Sequence, residues 1–148
     1  MFKILFALVA MVGLLSNASA HEHHPPHQGT LIVLGEEFAH LELVVDPVKG
    51  SLSAYSLDGE AENAVPLVQE SITINVAPKN GAQAFDVVLK AVENPLTGEK
   101  IGSTSQFDGE SVNLKGLDKF SGLIEQVTTK GEVFKGIVFE FPGGNDHD

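Results

Sequence analysis

The feature that most constrains the fold is an alternation of apolar and polar side chains with a period of two. In the stretch "SITINV", Ile72, Ile74 and Val76 fall on one face of an extended chain, and polar side chains fall on the other. The same pattern recurs over 85–89 and 133–141. A period of two is typical of strands with one buried face. The chain is therefore predicted to fold mainly as β-structure.

Glycine-bearing turns separate these segments, among them Asp58-Gly59, Asn80-Gly81 and Lys130-Gly131, and such turns are typical of hairpins. No segment has the apolar period and caps of a helix, which disfavours parallel crossover folds. We predict an all-β fold, a single antiparallel β-sandwich of about eight strands, Greek-key or immunoglobulin-like, with a barrel as the alternative. The predicted strands are 30–34, 38–46, 51–57, 70–77, 83–92, 100–107, 121–128 and 132–141.

The first twenty residues have the layout of a secretory signal peptide. Lys3 supplies a positive start, 4–15 form a short apolar stretch, and the "ASA" at 18–20 offers the small residues that signal peptidase requires. We therefore predict cleavage before His21 and a periplasmic or secreted protein. After cleavage we expect no membrane insertion, because no later segment approaches the ~20 apolar residues of a spanning helix.

The chain contains no cysteine, so apolar burial rather than disulfides must stabilise it in an oxidising compartment. The remaining length suits one domain. The predicted organisation is a signal peptide over 1–20, a flexible histidine-rich segment over 21–29, a β-sandwich domain over 30–142 and a disordered tail over 143–148.

Four of the six histidines fall between positions 21 and 27. After cleavage at Ala20, His21 carries a free α-amine, and His23 is the third residue. The amine, two deprotonated amides and the His23 imidazole can surround Cu(II) or Ni(II) in a square plane. His24 and His27 add further imidazoles, which suit copper, zinc and nickel alike. We predict that this segment binds a divalent transition metal, copper first, with zinc or nickel as alternatives.

A second candidate site lies in "FAHLELVVD". His40 and Glu42 are two residues apart on a predicted strand, so they share a face opposite Leu41 and Leu43. They are candidates to join His27 and the amino-terminal ligands in a folded metal site. The favoured alternative is an ordinary solvent-facing pair, because antiparallel sheets commonly expose one polar face.

The stretch "HEHHPPHQGTLIVLGEEFAHLELVVD" resembles the opening of uncharacterised histidine-rich periplasmic proteins of bacterial envelopes. A histidine-rich start, a His-x-Gly-x-apolar segment and a strand His-x-Glu recur there. In that pattern two glycines often follow the histidine, whereas Gln28 and Gly29 follow His27 here. The resemblance implies heavy-metal handling. In plan the chain is also similar to periplasmic copper-resistance β-sandwich proteins, which implies His21 as a Cu(II) ligand.

The formal net charge of −11 makes nucleic acid an improbable partner, since phosphate binding needs clustered Lys and Arg. No nucleophile, glycosidase or phosphate-binding motif is present, so no enzyme is predicted. We predict an exported protein that buffers or chaperones metal and passes it to an efflux or metal-delivery partner. The alternative is a non-catalytic envelope module that binds protein or polysaccharide, although one tyrosine and no tryptophan leave few aromatic contact platforms.

Overall fold

A computed structural model describes residues 23–146 and confirms the all-β prediction. Eight antiparallel strands make up the described chain, and its one helical element is a short 3-10 turn, Val112–Leu114. No helix within 23–146 is long and apolar enough to cross a membrane. The strands are β1 (Thr30–Leu34), β2 (Ala39–Asp46), β3 (Ser51–Leu57), β4 (Ser71–Pro78), β5 (Phe85–Ala91), β6 (Gln106–Glu110), β7 (Phe120–Thr129) and β8 (Glu132–Phe141). The proposed cleavage site and His21 lie outside the described residues.

All eight strands belong to one sheet, in the order β1-β2-β3-β6-β5-β4-β7-β8. The strands β4, β5 and β6 follow one another as neighbours, and β7 returns to lie beside β4. This is the connectivity of a Greek key. The sheet curls until β1 and β8 approach each other, which gives a nearly closed, barrel-like form.

The interior of the sheet is filled by the apolar face that the alternation predicts. Ile72, Ile74 and Val76 of β4 are all buried, while Thr73 and Asn75 between them are partly exposed. The largest fully buried side chains, at 0 or 1 % exposure, are Phe107, Phe120 and Phe139. Burial of this apolar surface is the main force that favours the folded state in a chain without disulfides.

The sixth strand begins later than the sequence predicts. The prediction placed it over 100–107, but β6 spans Gln106–Glu110. Residues 100–103 instead form a tight turn, in which the amide of Ser103 donates to the carbonyl of Lys100 at 2.8 Å and Gly102 has a φ of +92°. A left-handed residue at that point interrupts an extended chain.

The two edge strands are connected through the residues that follow β8. The side-chain amide of Asn145 accepts a hydrogen bond from the Val33 amide at 2.8 Å and donates to the Val33 carbonyl at 3.0 Å. Gly144 is buried, and the Thr30 hydroxyl donates to the Pro142 carbonyl at 3.0 Å. Residues 143–146, predicted from sequence to begin a disordered tail, therefore include groups that pair with β1.

Candidate functional site

The amino-terminal segment lies across the outer face of β2. We call residues 23–29 the N-terminal strap. Its main attachment is the carboxylate of Glu42, which is fully buried. One carboxylate oxygen accepts from the backbone amides of His27 and Gly29, each at 2.8 Å, and the other contacts Nδ1 of His27 at 2.8 Å. A buried carboxylate is tolerated because these donors replace its water.

The local sequence of the strap explains why it can lie so close to β2. The Gln28 amide donates to the Pro25 carbonyl at 3.1 Å, which turns the chain, and Gln28 has a φ of +59°. A Cβ on Gly29 would lie 2.5 Å from the carbonyl oxygen of Leu43. Glycine at this position therefore allows the strap amides to reach Glu42.

His27 is oriented by two contacts. Because a carboxylate is only an acceptor, Nδ1 of His27 is the donor to Glu42, which leaves Nε2 of the neutral ring unprotonated. The ring also stacks on Tyr55, with centroids 3.7 Å apart and an interplanar angle of 12°. Burial raises the pKa of the Tyr55 hydroxyl above its ordinary value, so this group stays protonated at neutral pH. In this arrangement Glu42 orients the His27 ring, as the outer hydrogen-bond partners of metal-binding histidines do, and its predicted role as a metal ligand stays a prediction.

The prediction that His40 and Glu42 are solvent-facing is wrong. The two side chains do share one face of β2, but His40 is 1 % exposed and Glu42 is 0 % exposed. The strap and the loop after β3 cover this part of the sheet. Strand periodicity identifies the face on which a side chain lies, whereas its burial here depends on segments distant in sequence.

His23 and His40 lie side by side beneath that loop. Their ring centroids are 5.2 Å apart. Nδ1 of His40 lies 3.0 Å from the carbonyl oxygen of Asp58, and Nδ1 of His23 lies 3.0 Å from the carbonyl oxygen of Glu60. Since carbonyl oxygens only accept, both Nδ1 atoms donate, and in the neutral rings both Nε2 atoms retain a lone pair.

Nε2 of His23 is buried and has no hydrogen-bond partner. The nearest acid is Glu37, whose Oε1 is 3.7 Å away, beyond the range of a hydrogen bond. Buried polar atoms without partners are uncommon in native proteins, and a bound ion is one explanation for them. No ready cluster of three or more metal-ligating side chains occurs within 23–146.

The loop over 58–63 supplies both backbone acceptors and is held in shape by its first residue. The Asp58 carboxylate accepts hydrogen bonds from the Asn63 side chain at 2.8 Å and from the Glu62 amide at 3.0 Å. These bonds, led by that from the Asn63 side chain, lower the pKa of Asp58 to about 2. Gly59 packs so closely that an added Cβ would lie 2.5 Å from the Glu37 carbonyl oxygen.

The predicted ligands fall into three groups. The structure brings His23 to His40, and His27 to Glu42, whereas His24 is exposed to solvent. His21 lies outside the described residues. Glu37, Tyr55 and the two loop carbonyls were not predicted from the sequence. A backbone acceptor has no side-chain signature, and Glu37 is one of two adjacent acids in a turn, so no local pattern distinguishes it.

Comparison of the chain with protein-family models, with curated proteins and with solved structures found no match.

Proposed function

We propose that this chain is an exported metal-binding protein that holds a divalent transition ion through its amino-terminal histidines and His40. The observation that carries the proposal is the buried Nε2 of His23, which has no hydrogen-bond partner and lies beside His40. Its proposed role is to buffer or chaperone copper, zinc or nickel and to pass the ion to an efflux or metal-delivery partner. The role is binding rather than catalysis.

The arrangement of the imidazoles supports the proposal. Three histidines each donate the Nδ1 hydrogen to a fixed oxygen: His23 to Glu60, His27 to Glu42 and His40 to Asp58. Metal-binding histidines are almost always oriented in this way, because the outer hydrogen bond fixes the tautomer and raises the basicity of the ligating nitrogen. Three such histidines within one strap and its underlying strand favour metal binding over incidental histidines.

The finer features of the sequence prediction belong to the same proposal. We include His21 as an additional ligand after cleavage at Ala20, with His24 and His27 as lower-affinity ligands outside the His23–His40 pair. The scaffold is proposed to pack as a two-layered β-sandwich. The acidic surface attracts cations before they reach the site, since a net charge of −11 raises their local concentration.

The test is a titration of the exported protein with Zn(II) and Cu(II), followed by calorimetry. Mass spectrometry of the same sample establishes the amino terminus and any bound metal. We expect His23→Ala and His40→Gln to weaken binding by at least about tenfold, the loss typical of a disturbed metal site. His24→Ala is the comparison variant: His24 is exposed and is proposed only as a lower-affinity ligand, so the tightest binding event should keep its affinity. Equal affinity in the unaltered protein and the three variants would show that His23 and His40 do not bind the metal. Absence of binding to the unaltered protein would overturn the proposal.

A further inference from the structure

Glu37 is the acid that lies near the unpartnered Nε2 of His23. It belongs to the turn between β1 and β2 and has a φ of +57°, which is uncommon for a residue other than glycine, asparagine or aspartate. Its carbonyl oxygen faces Gly59, so the turn and the loop over 58–63 are packed together. The Glu37 side chain is 62 % exposed and is therefore able to change rotamer at little cost.

The separation of the His23 and His40 rings and the distance from His23 to Glu37 are both compatible with the binding of a single ion. Two imidazoles bound through Nε2 at about 2.1 Å to a tetrahedral ion have ring centres about 5 Å apart, and any two ligand atoms are about 3.4 Å apart. The His23 and His40 centroids are separated by 5.2 Å, and Oε1 of Glu37 is 3.7 Å from Nε2 of His23.

We propose that Glu37 completes the site, so that Nε2 of His23, Nε2 of His40 and the Glu37 carboxylate bind one zinc-like divalent ion. This inference rests on the proposed function and deepens it. No group of three metal-ligating side chains is assembled within the described residues, so binding of the ion requires the exposed Glu37 side chain to rotate toward the two imidazoles. Two imidazoles and one carboxylate are a donor set found in tetrahedral zinc sites with one open position.

The same geometry opposes the square-planar chelate that the sequence suggests. A terminal-amine chelate would bind His23 through Nδ1, because Nδ1 and not Nε2 closes a six-membered ring with the residue's own amide nitrogen. In the folded strap, Nδ1 of His23 donates to the Glu60 carbonyl at 3.0 Å. Since one nitrogen cannot both donate that hydrogen and bind metal, the docked strap favours tetrahedral ions over amide-bound Cu(II) or Ni(II).

The experiment compares Glu37→Gln with Glu36→Gln in the full chain. Both residues are exposed acids in the same turn, so both variants make the same change in charge, and circular dichroism checks that both fold. We expect Zn(II) affinity to fall by at least about tenfold in Glu37→Gln and to stay within about twofold in Glu36→Gln. With Co(II) as a spectroscopic probe, the strong visible absorption of a tetrahedral site should weaken in Glu37→Gln alone.

The possible failures are distinguishable. If His23→Ala and His40→Gln lose Zn(II) while Glu37→Gln binds like Glu36→Gln, the third-ligand inference is overturned and the proposed function stands. An amide-type Cu(II) spectrum that is unchanged by His40→Gln and Glu37→Gln, with no Zn(II) binding, would overturn the third-ligand inference and the role of His40, and would leave metal binding by the amino-terminal residues alone. If the unaltered protein binds none of these metals, both proposals fail.

Discussion

At the scale of single residues, Glu42 and Gly29 determine whether the N-terminal strap lies on the sheet. Glu42 provides the acceptor oxygens, and Gly29 allows the approach that brings amide donors to them. Neither residue is proposed to contact metal. Their effect on binding is indirect, since they fix the strap that carries His23.

Replacing Glu42 by alanine should destabilise the fold. The change removes the acceptor of three hydrogen bonds and leaves the amides of His27 and Gly29 unpaired unless the strap detaches. We expect the free energy of unfolding to fall by about 3 kcal/mol, as is typical for the loss of one member of a buried charged network. Urea denaturation measures this. Glu125→Ala, at an exposed position of β7, is the control; equal losses in both variants would contradict the role of Glu42.

Replacing Gly29 by alanine should push the strap away from β2. The new Cβ would lie 2.5 Å from the Leu43 carbonyl oxygen. Because that oxygen belongs to the backbone, the clash is relieved only if the strap or β2 shifts. Overpacking of this kind costs about 1–3 kcal/mol. Faster hydrogen exchange at the His27 amide and weaker Zn(II) binding are expected together. Gly143→Ala, whose Cβ would meet nothing closer than 3.8 Å, should leave both unchanged.

At the scale of elements, the loop over 58–63 covers part of β2. Hydrogen bonds to its first residue, Asp58, hold the loop in shape. The carboxylate of Asp58 holds the loop backbone, and the Asp58 and Glu60 carbonyls orient His40 and His23. The loop therefore positions the imidazoles through backbone atoms, and the side chains of Asp58 and Asn63 keep that backbone in shape.

The pH at which this loop loosens follows from Asp58. Its pKa is lowered from 3.8 to about 2 in the fold, so the stabilisation is present above about pH 4 and is lost as the pH falls through about 2. We expect the amide chemical shifts of Glu62 and Asn63 to titrate together with a midpoint near 2. A midpoint near the ordinary value of 3.8 would show that the carboxylate does not hold the loop.

Strands and hairpins were predictable from the sequence where a single local pattern determines the conformation of the chain. The alternation in β4 and the turn at Lys130-Gly131 specify a strand and a hairpin, and both occur near the predicted positions. The alternation also assigned His40 and Glu42 to one face correctly. Their burial was not predictable, because the segments that cover them are separated from β2 by turns and by β3. Metal binding by the N-terminal strap stays a prediction.

At the scale of the whole molecule, Asn145 links the two ends of the sheet. Its side-chain amide forms both a donor and an acceptor bond with Val33, as a neighbouring strand would. The strand order leaves β1 and β8 as the two ends of the sheet. Asn145 thus joins the first strand to the residues that follow the last, together with the hydrogen bond from the Thr30 hydroxyl to the Pro142 carbonyl.

Replacing Asn145 by alanine should open this junction without unfolding the sheet. Two hydrogen bonds to the backbone of Val33 are lost, each worth about 1 kcal/mol net. We expect the Val33 amide to exchange about tenfold faster or more, while amides of β4 and β5 exchange at unaltered rates. Hydrogen exchange followed by NMR measures both. Asp146→Ala, at the neighbouring exposed position, is the control, and equal acceleration there would contradict the role of Asn145.

The pairing of Val33 with an amide side chain has a consequence for behaviour at high concentration. An exposed strand edge is a template on which a second polypeptide can add its own strand, and repeated addition produces fibrous aggregates. At Val33 the backbone donor and acceptor are already engaged by Asn145, so an incoming strand would first have to displace it. The same contact that completes the sheet therefore also discourages self-association along the edge of β1.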